Sequence, residues 1–152
     1  MASVYWFGNG GNWSDQANHW SNNSGNSPAS LHGAAPGTND DAIFDVNSIT
    51  GGGQVIIVDA AATCLSINFT GVANTPDFRI ADGITLSCYG SATFVSGMTC
   101  TYTAAAARFR MLATGTLTTG GLVLAFGQFV IAGAAGITVQ LGFVNYCQCL
   151  AN

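Results

Sequence analysis

The chain has 152 residues, the length of one domain, and 49% of them are hydrophobic. Only 7% are charged, where an ordinary soluble domain has roughly 25%. Because the charged residues are seven Asp and three Arg, with neither Glu nor Lys, long amphipathic helices are excluded. The net charge of −4 also argues against nucleic acid as a partner, since phosphate contacts need clustered basic residues.

Residues 1–40 differ from the rest of the chain. They contain all three tryptophans, both histidines and a cluster of Asn, Ser and Gly between Asn22 and Ser30. Aromatic anchors separated by turn-forming residues predict an aromatic N-terminal cap with loops. The apolar run that ends at Phe7 has no basic segment before it, so it does not resemble a signal peptide. We therefore expect a product made in the cytoplasm of the producing cell.

A turn signal at Pro36–Asp41 leads into a predicted strand at Ala42–Val46. Four oxygen-bearing side chains lie close together here, at Asn39, Asp40, Asp41 and Asp45. Calcium prefers several oxygen ligands, so the cluster is a candidate calcium site. Asx side chains also bond their own backbone in turns, and we favour that interpretation. No cofactor is expected.

From residue 41 to residue 152 the sequence predicts a glycine-rich β-body made of short strands separated by Gly, Asn or Asp. The strands are predicted at Gln54–Val58, Cys64–Phe69, Phe78–Ile80, Ile84–Tyr89, Ala92–Val95, Thr99–Thr103, Arg108–Leu112, Gly115–Thr118, Leu122–Phe126, Phe129–Ile131 and Ile137–Phe143.

Alternation within two of these runs predicts which side chains face the core. Leu65, Ile67 and Phe69 are expected on one face of their strand. Ile84, Leu86 and Cys88 repeat the pattern as a second rung. The sequence therefore predicts one all-β domain, a short β-solenoid or β-helix-like stack. No fixed period emerges, and a β-sandwich or jelly roll is the alternative.

The cysteines are odd in number, at Cys64, Cys88, Cys100, Cys147 and Cys149. Without a secretory signal we expect buried free thiols rather than disulfides. A zinc site is the alternative, but Cys147-x-Cys149 lacks the usual two-residue spacing and lies far from both histidines.

The C-terminal part has no charged side chain after Arg110, and Gly120–Phe143 is mostly apolar. Its six glycines and the absence of flanking basic anchors favour strands over a membrane-spanning helix. A monomer with so few charges would expose large apolar patches, so we expect a homo-oligomer, with a trimer as the expected state. The predicted interface residues are Phe126, Phe129, Ile131, Val139, Leu141 and Phe143.

Three segments carry a resemblance to a known group of proteins. Tyr5–Ser14 (YWFGNGGNWS), Asn18–Ser21 (NHWS) and Pro36–Asp45 (PGTNDDAIFD) together resemble the opening of many bacteriophage structural proteins with glycine-rich β-helical bodies. Ala62–Gly71 and Leu86–Met98 are similar to the rungs that follow. The resemblance covers most of residues 4–120. It implies a virion structural protein at the capsid surface or in a tail appendage, with other virion proteins as partners and the host cytoplasm as the place of synthesis.

The residues themselves do not predict an enzyme. The chain has no Glu, and its seven Asp are scattered instead of paired for acid–base work. His19, between Asn18 and Trp20, is expected to be a stacked, hydrogen-bonded histidine of the cap.

A glycan-binding adhesin module is the alternative function. Tyr5, Trp6, Trp13 and Trp20 offer aromatic faces that stack on sugar rings. The same rings also suit a plug for the open end of a β-body, which is the interpretation that we favour. Exposure of the rings decides between the two.

Overall fold

A computed structural model describes residues 1–25, 30–101 and 106–132. The chain is nearly all β and forms a β-solenoid of about four turns, as predicted. The β-sandwich alternative is wrong, because sandwiches are built from antiparallel sheets and the sheets here are parallel apart from one end strand. The helix α1 at Gln16–His19 is a single turn. No helix in the described ranges is long and apolar enough to cross a membrane.

The strands are short, and the described residues contain them in this order: β1 Ala2–Trp6, β2 Gly11–Asn12, β3 Trp20–Ser21, β4 Asp40–Ile43, β5 Val55–Val58, β6 Ala62–Cys64, β7 Ser66–Asn68, β8 Asp77–Ile80, β9 Thr85–Cys88, β10 Ala92–Thr93, β11 Arg108–Met111, β12 Leu117–Thr118 and β13 Gln128–Ile131.

Three sheets form the walls of the solenoid. Wall A has the order β12-β10-β7-β4-β1-β3, wall B the order β2-β5-β8, and wall C the order β13-β11-β9-β6. Coil 1 contains β1 and β2, coil 2 contains β4 to β6, and coil 3 contains β7 to β9. Coil 4 contains β10 and β11 and touches wall B through a bridge between Asp77 and Thr99. Coil 5 contains β12 and β13. Coil 1 has no described strand in wall C and coil 5 has none in wall B, so the five coils amount to about four turns.

Wall A has a regular register. Ala42, Ile67, Ala92 and Leu117 pair in succession, each 25 residues from the last. The spacing differs on the other walls: Ile56 pairs with Phe78 on wall B, and Leu86 with Phe109 on wall C. The corners between walls therefore vary in length, which explains why no single period is visible in the sequence.

The core lies inside the three walls and is filled by alternate residues of each strand. On wall B, Ile56 and Val58 are fully buried, and so are Phe78 and Ile80 above them. Ile67, Phe69, Leu86 and Cys88 were predicted to point inward and are buried, so the alternation was predicted correctly for these residues.

Some predicted boundaries were wrong. The run Cys64–Phe69 is two strands, because the chain turns a corner at Leu65 between β6 and β7, and Leu65 is only half-buried. Residues 122–126 contain no strand. The aromatic cluster lies near the N-terminus, but β1 and β2 from the same segment belong to the walls, so the cap and the body share one core. The predicted strand at Ile137–Phe143 lies outside the described residues.

Candidate functional site

The aromatic cap is a buried cluster of rings. Trp6, Trp13 and Trp20 are at most 1% exposed, and Trp20 packs edge-on against the other two at centroid distances of 5.0 and 4.7 Å. Their faces contact other rings, which favours the plug, the interpretation preferred from the sequence, over stacking on sugars. Of the four predicted residues, only Tyr5 is partly exposed.

Glycines allow the cap to close around His19. The imidazole stacks on Trp6 at 4.3 Å with an interplanar angle of 2°, and its Nδ1 donates to the Phe7 carbonyl oxygen at 2.8 Å. This confirms the predicted stacked histidine. A Cβ on Gly11 would lie 2.0 Å from His19 Nε2, and Gly8 has a φ of +82° with the Asn18 carbonyl 2.7 Å from its Cβ position. The glycine-rich opening is therefore a packing requirement.

The cap also covers one edge of wall A. β3 runs antiparallel to β1, with Tyr5 opposite Ser21 and Trp6 opposite Trp20. Ser21 then bridges to Leu31. The first parallel strand of wall A is thus not left as an open edge, which is how natural sheets avoid pairing with other chains.

Wall C has no strand from coil 1, because the chain leaves its path after β2 and enters α1. A cavity of about 240 Å³ lies at this place, lined by Trp13, Ser14, Gln16, Ala35, Pro36 and residues 60–63.

The backbone amide and the hydroxyl of Ser14 donate to the Asp59 carboxylate at 3.0 and 2.6 Å. Burial alone would raise the pKa of Asp59, but these hydrogen bonds hold the pKa below its usual value. The pair fastens the cap to coil 2.

The oxygen-rich cluster is engaged in local hydrogen bonds. Asp40 accepts from the Gly37 amide at 3.0 Å, and Asp41 accepts from the Ser66 hydroxyl on the next coil at 2.5 Å. Asp45 accepts from the Asn47 backbone amide at 2.9 Å, while the backbone carbonyl of Asn39 accepts from the Ala2 amide at 3.3 Å. In the described ranges, no three side chains of His, Cys, Asp or Glu are grouped to hold a metal. The geometry is that of Asx turns and inter-coil contacts.

The last coil carries the described part of the predicted oligomer interface. Phe126 and Phe129 both stack on Phe109, at centroid distances of 5.4 and 5.7 Å, and both remain partly exposed. Ile131 is 41% exposed. These residues lie together at the coil that ends the described stack, whereas Val139, Leu141 and Phe143 lie outside the described residues.

The described cysteines are free thiols in the core. Cys64 and Cys88 are register partners on wall C, and the Cys88 thiol lies 3.4 Å from the Leu65 and Gly90 carbonyl oxygens. The hydrogen bond to Cys88, together with burial, raises the pKa of the Cys64 thiol. Burial raises the pKa of Cys100 to about 12. The hydrogen bond with Cys64 lowers the pKa of its partner Cys88, so a neutral thiol is favoured at Cys64 and Cys100. Cys147 and Cys149 lie outside the described residues.

Two features were missed from the sequence. One is the Ser14–Asp59 contact between residues 45 positions apart, for which the sequence contains no signal. The other is the placement of Arg108 and Arg110 on the outer face of wall C. In β11 the two arginines are partly exposed, and the residues that alternate with them are buried. The alternation in Arg-Phe-Arg-Met was visible, and it predicts that both arginines share a face.

No protein-family model, curated protein or solved structure matches this chain. The proposals below therefore rest on the geometry described here and on the resemblance of the opening segments.

Proposed function

We propose that the chain is a self-assembling structural component of a bacteriophage virion, located at the capsid surface or in a tail appendage, and that it has no catalytic role. The observation that supports this best is the difference between the two ends of the described solenoid. Coil 1 is covered by β3 and closed by the ring cluster, whereas coil 5 carries partly exposed phenylalanines and Ile131.

An end of this kind favours association. Parallel strands in a solenoid present unpaired backbone groups at their last edge, and such edges template further pairing. β13, the last strand of wall C in the described part of the chain, also carries apolar side chains that a partner would remove from water. The partners that we propose are further copies of this chain, with a trimer as the expected state, and other virion proteins.

The side chains that would perform chemistry are engaged in structural contacts. The ring of His19 is enclosed against Trp6, and its exposed fraction is 6%. The Asp45 and Asp59 carboxylates accept hydrogen bonds from turn or cap residues. These contacts support a role in which the surface of the solenoid, and not a catalytic group, is the functional element.

The residues that carry the phage resemblance have a structural explanation in the cap. Trp6, Trp13 and Trp20 pack with Phe44 from the PGTNDDAIFD segment. The motif therefore specifies the closed first coil of a solenoid. A capped β-solenoid suits a rigid appendage, because each coil contacts only its neighbours and the stack forms a stiff rod.

The proposed location is tested on particles. Phage particles are purified from a lysate in which the chain carries an epitope tag, and they are labelled with gold-conjugated antibody for electron microscopy. We expect gold on the capsid surface or tail, and digestion of the purified particles should yield peptides of this chain. Its absence from particles, with the free protein left in the lysate, would overturn the proposal.

Self-assembly is tested by sedimentation velocity at micromolar concentration. We expect an oligomer for the wild-type chain, and smaller species for Ile131→Asp, which introduces a charge at a 41% exposed position of the last coil. Val46→Asp is the matched control, because Val46 is 63% exposed and follows β4 in coil 2. A monomeric wild-type chain, or equal dissociation by both variants, would contradict assembly through the last coil.

A further inference from the structure

Charge is distributed unevenly along the solenoid. Residues 1–64, which include coils 1 and 2, contain five Asp and no basic residue other than histidine. Coil 3 contains Asp77, Arg79 and Asp82. Arg79 forms an ion pair with Asp77 at 2.6 Å. Coil 4 contains Arg108 and Arg110 and no acid. One end of the molecule is therefore acidic, and two of the three arginines lie beyond it.

Arg108 and Arg110 have no acidic partner in the described part of the chain. Arg108 Nε donates to the Gln128 side-chain oxygen at 2.8 Å, which leaves its charge uncompensated. Register places Thr85 and Ser87 on one side of the pair and Gln128 and Val130 on the other. The surrounding face of wall C is therefore uncharged, and the two guanidinium groups are its only described charges.

The acidic coils of the same molecule do not neutralise this pair. Coil 4 lies two coils above coil 2, a separation of roughly 10 Å at about 4.8 Å per strand. That is about one Debye length at 0.1 M salt, so the attraction is largely screened. Asp82 lies only one coil away, but its carboxylate accepts from the Ala106 amide at 3.3 Å and forms no ion pair with either arginine in the described residues. The positive face is thus available to an external anionic group.

The chemistry favours a protein carboxylate as that group. Two partly exposed arginines neutralise at most two charges of a long polyanion, and the five Asp of coils 1 and 2 would repel the rest of it. A second copy of the chain carries those five Asp on its first two coils, without a compensating Arg or Lys there. Placing two solenoids side by side, either antiparallel or shifted by two to three coils, brings coil 4 of one copy level with coils 1 and 2 of the other.

We propose that wall C of one copy, at Arg108 and Arg110, binds the aspartate-rich coils 1 and 2 of a second copy. The inference rests on the proposed self-assembly and adds a lateral, charge-paired contact to it. Asp15 is a favourable acceptor, because it is partly exposed and, among the described residues, its carboxylate accepts from the Asn18 side chain alone. Complementary charge across such a contact determines register and orientation more than total affinity.

The test is sedimentation velocity of the full-length chain in 50 mM and 500 mM NaCl. We expect the wild-type dissociation constant to rise about tenfold between the two salt concentrations, and we expect Arg110→Gln and Arg108→Gln to weaken association and flatten that salt dependence. Arg79→Gln is the matched control, because it removes the same charge from an internal ion pair and should leave the salt dependence unchanged. Equal behaviour of all three variants would overturn the contact.

A charge swap tests the partner surface. Arg108→Asp/Arg110→Asp should associate poorly with itself and regain association when mixed with Asp15→Arg, whereas a mixture that stays dissociated contradicts the assignment. Heparin serves as the polyanion probe. Arginine-dependent binding of heparin, without any effect of the arginine variants on self-association, would also overturn it. If Ile131→Asp dissociates the oligomer and the arginine variants do not, self-assembly stands and the lateral contact fails.

Discussion

Phe44, Phe69 and Phe94 form a column of rings inside wall A, each 25 residues after the last. The Phe44 and Phe69 rings stack at 4.0 Å, and Phe69 and Phe94 at 5.6 Å. Every member is at most 1% exposed. Because each ring contacts rings on the neighbouring coils, the column joins the buried cluster of the cap to the core of the body.

Phe69→Ala should therefore lower the free energy of unfolding by about 3–5 kcal/mol, the cost of a cavity at a fully buried aromatic position. Urea denaturation monitored by tryptophan fluorescence measures it. Val46→Ala, at a 63% exposed position, should change stability by less than about 0.5 kcal/mol. Similar small effects from both variants would mean that the column does not support the fold.

Burial of the Cys100 thiol predicts that the free energy of unfolding decreases at alkaline pH. Its folded pKa of about 12 lies above the unfolded value near 8.5, so the native state holds a proton that the unfolded state loses. The contribution of the neutral thiol to the free energy of unfolding is therefore complete below about pH 8.5. It decreases as the pH rises toward 12, by at most about 1.4 kcal/mol per pH unit. Denaturation at pH 8 and pH 10.5 should show a smaller loss for Cys100→Ala than for wild type. Equal losses would contradict a buried neutral thiol.

At the residue scale, sequence patterning predicted inward-facing side chains within strands but failed at corners. Ile67 and Leu86 were predicted correctly because period-two alternation is a property of any pleated strand. Leu65 was placed wrongly because the chain bends there to change walls, and a bend restarts the alternation. The exposure of the tryptophans depends on how the cap folds over coil 1, which the sequence alone does not specify.

Among the elements, the cap and coil 2 are joined by several contacts, including the Thr50 amide donating to the Asn9 side chain and Trp6 packing on Phe44. The Ser14–Asp59 pair is the one of these contacts that is sensitive to acid. Ser14→Ala removes the 2.6 Å hydrogen bond to Asp59 and should lower stability by about 0.5–1.5 kcal/mol at pH 7. Since the folded pKa of Asp59 is lowered, this stabilisation is present above the unfolded pKa and disappears as the pH falls through the folded value.

Thermal unfolding at pH 7 and at acid pH checks this prediction. The difference between wild type and Ser14→Ala should shrink on acidification, and NMR titration should show the Asp59 pKa rising in the variant. Ser3→Ala, at an exposed position on the outer face of β1, serves as the control. A difference that persists unchanged at acid pH would show that the hydroxyl acts through packing instead.

The solenoid could be predicted from its short strands and glycine spacing, but the wall to which each strand belongs could not. The register of wall A joins Ala42 to Ile67 and Ala92 to Leu117, and these residues share only their apolar character. The Phe44, Phe69 and Phe94 column does keep one residue type every 25 positions. The different spacings on walls B and C obscure that repeat in the sequence as a whole.

At the scale of the whole molecule, the fold should be independent of metal. The carboxylates of Asp40, Asp41 and Asp45 already accept hydrogen bonds from protein donors. Dialysis against EDTA should leave the near-ultraviolet circular dichroism and the melting curve unchanged. Unfolding by the chelator, reversed by calcium, would instead favour a metal site in the turn.

The closed end of the solenoid is also the end that a ribosome makes first. By the time Cys64 has been added, the growing chain contains the whole ring cluster of Trp6, Trp13, Trp20 and Phe44, so a hydrophobic nucleus is available before coils 3 to 5 exist. Every later coil then meets a completed neighbour and needs only local chain closure to pair with it. Such one-directional growth leaves a single exposed edge at each moment of synthesis, which limits mispairing between nascent chains.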